Sequence, residues 1–211
     1  MKVFYNEAYT APAYAFETTR KSGDIATAID DGSVSGCELV DPVDFVGLAE
    51  ELIETTHDPA YVEALRTGEP SDLAASQGFT WDEGIWEMAV NSTAGVLAAV
   101  DEALATGGLS GSLSSGLHHA RRAGGEGYCT VNGLAMAARR ATELVPGTVV
   151  ILDLDAHCGG GTNELVGDDQ RILHLDLSVS SFDSYRPVGD DDLTVLHPDS
   201  DEEYLRLVSG H

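Results

Sequence analysis

The sequence is poor in positive charge and especially in lysine. Lysine occurs only at positions 2 and 21, and Lys+Arg total 11 against 36 Asp+Glu, so the formal net charge of the 211 residues is −25 at pH 7. Such a chain repels phosphate backbones, which argues against a nucleic-acid partner. The acidic residues are spread along the whole chain. This pattern favours a halophilic protein in a high-salt cytoplasm, where ions screen self-repulsion, over the alternative of an ordinary acidic protein.

Long apolar runs and paired cysteines are also lacking. The longest apolar runs, at 94–100 and 149–152, fall short of the roughly 18 residues that a membrane-spanning helix needs. We therefore expect no membrane partner, and the absence of a signal-peptide pattern predicts a cytoplasmic location. The three cysteines, an odd number without C-x-x-C spacing, argue against a disulfide framework and fit reduced thiols.

The hydrophobic pattern predicts one α/β domain over residues 1–211. Residues 148–154 (TVVILDL) are continuous and β-branched, which predicts a fully buried strand, and a second strand is expected at 171–177. Helices are predicted at 41–55, from 59 onwards, from a capping box at 80–83 to about 105, and at 132–144. This alternation indicates a parallel sheet flanked by helices, whose chemistry is expected at the carboxyl ends of the strands.

The first candidate site lies at the end of the strand at 148–154. Asp153, Asp155 and His157 are spaced i, i+2 and i+4, so in an extended chain their side chains point the same way. Burying two carboxylates and an imidazole is costly without a partner, and zinc or another divalent first-row metal suits these ligands. The alternative is that Asp153 caps a helix and His157 is a loop histidine.

The second candidate site is the pair His118–His119, which precedes a glycine-rich loop. Adjacent histidines can act as an acid–base pair because they titrate near neutral pH, although two exposed loop histidines are the alternative. Cys129 could be a reactive thiolate, but no further member of a thiol triad is apparent. Arg121 and Arg122 are expected to be solvated, with a role at the substrate rim as the alternative.

Together these segments resemble the histone deacetylase superfamily, which includes the acetylpolyamine amidohydrolases. Its members show a His-His pair, a G-F/Y-C-x-x-N loop that opens a helix, and D-x-D-x-H at a strand end. This chain has LHHA at 117–120, GYCTVN at 127–132 and DLDAHCGGG at 153–161, and HDPAYV at 57–62 is similar to the family's H-x-x-x-Y helix start. Order and spacing agree over most of residues 1–185.

The resemblance implies an arginase/deacetylase-like fold and hydrolysis of an acetyl-lysine or acetylpolyamine amide. Asp155 and His157 would be the metal ligands, and zinc would polarise the acetyl carbonyl and lower the pKa of a bound water to about 7. His119 would take the proton of the water and pass it to the leaving amine. His118 would assist electrostatically, oriented by a hydrogen bond to Asp153.

The resemblance further implies a substrate channel and a second cation. Tyr128 would line the channel that grips the acyl-lysine or polyamine stem, with Cys129 in the wall of the site. Family members also hold a monovalent cation, with potassium as the candidate, and Asp153 and Asp176 would bind it here.

Two departures from the family pattern bear on activity. Where the family reads D-x-D-x-H-H-G-D-G, Cys158 replaces the second His and Gly160 the second Asp. That Asp partners the second histidine of the pair, so His119 is expected to lack its carboxylate. The family's third metal ligand and its transition-state Tyr have no matching positions, and the spacing of His197, Asp199 and His211 does not recommend any of them as a substitute.

We therefore expect the C-terminal part of the family fold to be missing, weak zinc binding, and slow or absent turnover. The open flank of the sheet predicts a homo-oligomer or a complementing C-terminal polypeptide. Two other functions compete with a zinc amidohydrolase. One is a non-catalytic binding or scaffold protein with the same fold. The other is a two-manganese ureohydrolase, against which the His-His pair and the single D-x-D-x-H argue. One, none or two bound metals per chain would separate the three.

Overall fold

A computed structural model describes residues 1–12, 17–114 and 117–210. Helices and strands follow one another in this order: β1 (Lys2–Phe4), α1 (Glu17–Asp30), β2 (Glu38–Val40), α2 (Val46–Thr56), α3 (Pro59–Thr67), α4 (Ser71–Ala74), α5 (Gly84–Thr106), β3 (Ser110–Ser112), α6 (Gly133–Leu144), β4 (Val149–Asp153), α7 (Gly160–Val166), β5 (Ile172–Ser178), β6 (Asp192–Val195) and α8 (Asp201–Val208). Short 3₁₀ turns lie at Glu7–Thr10 and Val43–Phe45.

The strands form two parallel three-stranded sheets, in the orders β2-β1-β3 and β4-β5-β6. Parallel strands need crossover connections, and here α5 precedes β3 while α7 joins β4 to β5. In the second sheet Asp153 of β4 is paired in register with Asp176 of β5. The predicted α/β fold with parallel strands flanked by helices is thus confirmed.

The main hydrophobic core lies around α5. Residues on α2, α3 and α5 pack together in a cluster that includes the fully buried side chains of Ile53, Tyr61, Leu65 and Leu97. The start of α3 follows from the sequence. The side chain of Asp58 accepts a hydrogen bond from the backbone N–H of Ala60, and Pro59 stands at the first helical position.

One face of β4 is more exposed than its sequence predicts. Val149 and Ile151 pack with a smaller core from α6, α7 and β5. Val150 and Leu152 point to the opposite face, where they are 53% and 57% exposed. The expectation of a fully buried strand is therefore wrong for alternate side chains, since the core that includes α6 covers the face of β4 that carries Val149 and Ile151.

Within the part of the chain that the structure describes, none of the helices combines the length and the apolar character that crossing a membrane requires.

Candidate metal and acid–base site

The end of β4 meets the loop that carries the two histidines. Asp153, the last residue of β4, is 7% exposed, and its Oδ2 accepts a hydrogen bond from Nδ1 of His118 at 2.7 Å. Because an ionised carboxylate can only accept, the Nδ1 of His118 carries the proton. Nε2 of the same ring lies 3.5 Å from Oδ1 of Asp155. Asp153 therefore sets the orientation of His118 toward Asp155.

Charge and burial act against each other in this pair. Burial disfavours the imidazolium form of His118, but the hydrogen bond and charge of Asp153 outweigh it and raise the pKa of His118. Burial likewise disfavours the ionised form of Asp153, but the hydrogen bond from His118 holds the pKa of Asp153 far below its ordinary value. Both shifts favour a carboxylate facing a protonated ring.

The two residues predicted as metal ligands lie side by side. Nδ1 of His157 is 3.3 Å from Oδ1 of Asp155, and both side chains are about half exposed. The rings of His119 and His157 are 5.8 Å apart, so the ligands face the histidine pair. A carboxylate and an imidazole suit a first-row metal, but a catalytic zinc usually has three protein ligands.

A different set of three donors also meets the distance needed for a metal. Ligand atoms of His118, His119 and Asp155 all lie within 4.8 Å of one another. Among residues 1–12, 17–114 and 117–210, no group of three such donors includes His157. The geometry is therefore compatible with a metal at Asp155.

His119 has a carboxylate partner that the sequence analysis did not foresee. Its Nδ1 bonds to Oδ2 of Asp183 at 2.9 Å, and the side chain of Asp183 is 1% exposed. The expectation that Gly160 leaves His119 without a carboxylate is wrong. The acid comes from the loop after β5, which the D-x-D-x-H motif does not include.

The three glycines after Cys158 each lie against one of these groups. A Cβ on Gly159 would come within 2.8 Å of Oδ2 of Asp153, and a Cβ on Gly160 would overlap the carboxylate of Asp183. A Cβ on Gly161 would lie 2.5 Å from the carbonyl of His119. The glycine run is thus required by close approach of the site to the backbone.

Three non-glycine residues with left-handed backbone also border the site. They are Leu117 with φ 85°, Tyr128 with φ 64° and Asp183 with φ 57°. For a residue such as leucine this conformation is a genuine outlier, and strained backbone tends to gather at functional sites. All three positions adjoin or contact the two histidines or the expected channel.

The expected channel wall is aromatic. Tyr128 is 52% exposed and its ring lies 5.4 Å from that of Phe79. Phe182, which the sequence analysis missed, is 46% exposed and meets the rings of His119 and His157 edge-on at 5.1 and 5.6 Å. Burial raises the pKa of Cys129 to about 11, and its Sγ accepts from the N–H of Leu117. A thiol in the wall of the site therefore fits better than a reactive thiolate.

Behind Asp153 lies a second buried group. Asp153, His174 and Asp176 have ligand atoms within 4.8 Å of one another, and His174 and Asp176 are completely buried. Nε2 of His174 is 4.0 Å from Oδ2 of Asp153 and has no hydrogen-bond partner among the described residues. His174 was not predicted, although strand alternation places it on the same face as Asp176. These residues could hold a cation.

The upstream H-x-x-x-Y segment supports the site without entering it. Nδ1 of His57 donates to the carbonyl of Arg121 at 2.8 Å, and its Nε2 accepts from the N–H of Asn132 at 3.1 Å. The hydroxyl of Tyr61 donates to the carbonyl of Thr130 at 2.7 Å. Burial lowers the pKa of His57, which agrees with a neutral ring between a donor and an acceptor.

The remaining candidates have different surroundings. Asp155, His197 and Asp199 line the same open cleft of about 730 Å³, whereas His211 lies outside the described residues. Arg121 is not simply solvated as expected, because its guanidinium bonds to Asp183 and to two glutamates.

Comparison with known proteins agrees with this geometry. The family model described as Histone deacetylase domain matches residues 17–195. An uncharacterized protein of Picosynechococcus sp. is 29% identical over 162 residues, which cover 75% of this chain and 54% of that protein. Histone deacetylase 14, chloroplastic, of Arabidopsis thaliana is 30% identical over 172 residues, covering 73% of this chain and 40% of the relative. The chain thus spans about half or less of the length of these relatives.

A solved structure shows the same fold. The crystal structure of the HDA15 HD domain superposes with a TM-score of 0.67 and 19% sequence identity, covering 84% of this chain and 54% of that one.

Acetoin utilization protein AcuC of Bacillus subtilis is a further relative in sequence. It is 26% identical over 160 residues, which cover 71% of this chain and 39% of AcuC.

Proposed function

Because the chain belongs to the histone deacetylase family, we propose that it is a metal-dependent amidohydrolase that removes acetyl groups from acetyl-lysine or acetylpolyamine amines. One observation carries the proposal. Two histidines lie side by side with ring centroids 4.0 Å apart, and each bonds a different carboxylate through Nδ1. Both rings thereby keep Nε2 for chemistry beside Asp155 and His157.

Asp155 and His157 would hold the zinc ion. Bound zinc would polarise the acetyl carbonyl and make a bound water acidic near neutral pH. Their half-exposed side chains leave room for substrate beside them. Asp153 and Asp176 would hold a potassium ion behind this site.

The two histidines take different parts in the reaction. His119 accepts a proton at Nε2 and delivers it to the leaving amine, since its Nδ1 is already engaged with Asp183. His118, oriented by its hydrogen bond to Asp153, assists electrostatically by stabilising developing negative charge. Tyr128 and Phe182 form the apolar walls that would exclude water from the alkyl stem of the substrate.

A non-catalytic binding or scaffold protein is the second candidate. It is favoured by one observation: among the described residues, no group of three mutually close donors contains both Asp155 and His157. A catalytic zinc with only two protein ligands would bind weakly.

Metal stoichiometry distinguishes these functions. Calorimetric titration of the metal-free chain with zinc should give one ion per chain, kept in His119→Ala and lost in Asp155→Ala. Equal loss in both variants would mean that His119 is itself a ligand. No binding would favour the scaffold function, and two ions would favour a two-metal ureohydrolase.

A further inference from the structure

The carboxylate of Asp183 joins His119 to a second side chain. Its Oδ2 accepts from Nδ1 of His119 at 2.9 Å, while its Oδ1 accepts from the guanidinium of Arg121. Each carboxylate oxygen therefore has its own partner, and the side chain is 1% exposed. Because both oxygens are held, the carboxylate cannot rotate without breaking one of these two hydrogen bonds.

Arg121 is itself anchored. Its Nε donates to Glu126 at 3.1 Å and its Nη1 donates to Glu164 at 3.1 Å. The same Nη1 approaches the carbonyl oxygen of Gly160 at 3.4 Å. A planar guanidinium held at several points cannot swing away from Asp183 without breaking charged hydrogen bonds.

The backbone brings the carboxylate to this position. Asp183 adopts left-handed backbone with φ 57°, which aspartate tolerates better than most residues. A Cβ on Gly160 would overlap the carboxylate of Asp183 and lie 2.5 Å from its carbonyl oxygen. Glycine at 160 and aspartate at 183 are thus coupled, because the second can reach His119 only when the first has no side chain.

We propose that Arg121 and Asp183 are positioning residues for His119. Arg121 orients the carboxylate of Asp183, and this carboxylate holds the proton of His119 on Nδ1. The catalytic role of this positioning rests on the proposed function, since this tautomer leaves Nε2 of His119 free to accept a proton beside His157. The acid that the family motif carries at the position of Gly160 is replaced here by one from the loop after β5, locked by an arginine.

Nitrogen-15 spectra of the histidine side chains test this in the metal-free chain. At about pH 9, where ordinary histidines are neutral, His119 should be protonated on Nδ1. In Asp183→Asn the amide should turn its oxygen to Arg121, because a guanidinium only donates, and present its NH₂ group to His119. The proton of His119 should then move to Nε2. In the double variant with Arg121→Ala, the amide can turn back and Nδ1–H should return in part.

Controls separate positioning from general damage. His119→Gln assigns the signals, and Arg122→Ala and Asp190→Asn change exposed residues that are close in sequence to Arg121 and Asp183. The tautomer of His118, held by Asp153, should stay unchanged in every variant, and thermal unfolding checks that each one folds.

Persistence of Nδ1–H on His119 in Asp183→Asn would overturn the role of Asp183. Identical spectra for the single and double variants would overturn the role of Arg121. The readout needs neither metal nor turnover, so failure here is distinguishable from failure of the proposed function.

Discussion

Replacing Asp153 by asparagine should destabilise the protein in a pH-dependent way. His118 and Asp153 are only 4% and 7% exposed in their side chains, so the change leaves a buried, preferentially charged imidazole without its counter-charge. Removing one partner of a buried ion pair costs about 3–5 kcal/mol. Asparagine keeps the shape and can still offer an oxygen to Nδ1, so we expect the lower end, about 3 kcal/mol. That is a large part of the roughly 5–15 kcal/mol by which domains are stable.

The pH window follows from the two shifts. The lowered pKa of Asp153 contributes stability above the ordinary carboxyl pKa of about 4, and this is lost as the pH falls. The raised pKa of His118 contributes stability below about pH 6.5, which is lost as the pH rises through the pKa of the folded state. The cost of Asp153→Asn should therefore be greatest between about pH 4 and 6.5 and shrink on either side.

Urea unfolding followed by the fluorescence of Trp81 and Trp86 at about pH 3.5, 5.5 and 9 measures this cost. The double variant with His118→Gln is the control, since without the imidazole the cost of Asp153→Asn should fall by at least about 1 kcal/mol. A cost that is the same at all three pH values, or the same in both backgrounds, would refute the reasoning.

Three further predictions concern charge, a buried histidine and a close contact. The melting temperature should rise by several degrees from dilute buffer to molar KCl, because the Debye length falls from about 30 Å to about 3 Å and screens a net charge of −25; a flat profile would contradict the high-salt interpretation. Burial lowers the pKa of His57, so the unfolded state binds a proton more readily than the folded state, and the free energy of unfolding should decrease as the pH is lowered below about 6.5. In chemical unfolding experiments, His57→Gln should lack this decrease. Gly160→Ala should cost about 1–3 kcal/mol by overlap with Asp183, whereas Gly147→Ala, with open space around its Cβ, should cost less; equal melting points would contradict the predicted overlap.

The parts of the fold with a strong local pattern could be predicted from sequence. The continuous β-branched run predicted a strand at 148–154, and the structure has a strand at Val149–Asp153. A second strand was predicted at 171–177, and the structure has one at Ile172–Ser178. The apolar run itself could not show that Val150 and Leu152 are exposed, since that depends on which faces receive a helix. The long helix begins at Gly84, just after the capping box predicted at 80–83. At this start the side chain of Asp82 accepts a hydrogen bond from the N–H of Gly84.

The site was predictable only where its residues share one motif. Spacing of i, i+2 and i+4 predicted that Asp153, Asp155 and His157 point the same way; in the structure Asp155 lies beside His157, while Asp153 bonds to His118. Asp183 escaped prediction because it lies in an irregular loop, and its contact with His119 depends on left-handed backbone and on the space left by Gly160. No local sequence pattern encodes such a long-range fit.

The most direct test of the proposed function is acetate release from an acetyl-lysine peptide and from an acetylpolyamine by the zinc-loaded chain. We expect slow release that requires zinc, disappears in His119→Ala and persists in the surface variant Arg122→Ala. Absence of release from both substrates, or release that survives in His119→Ala, would contradict the account.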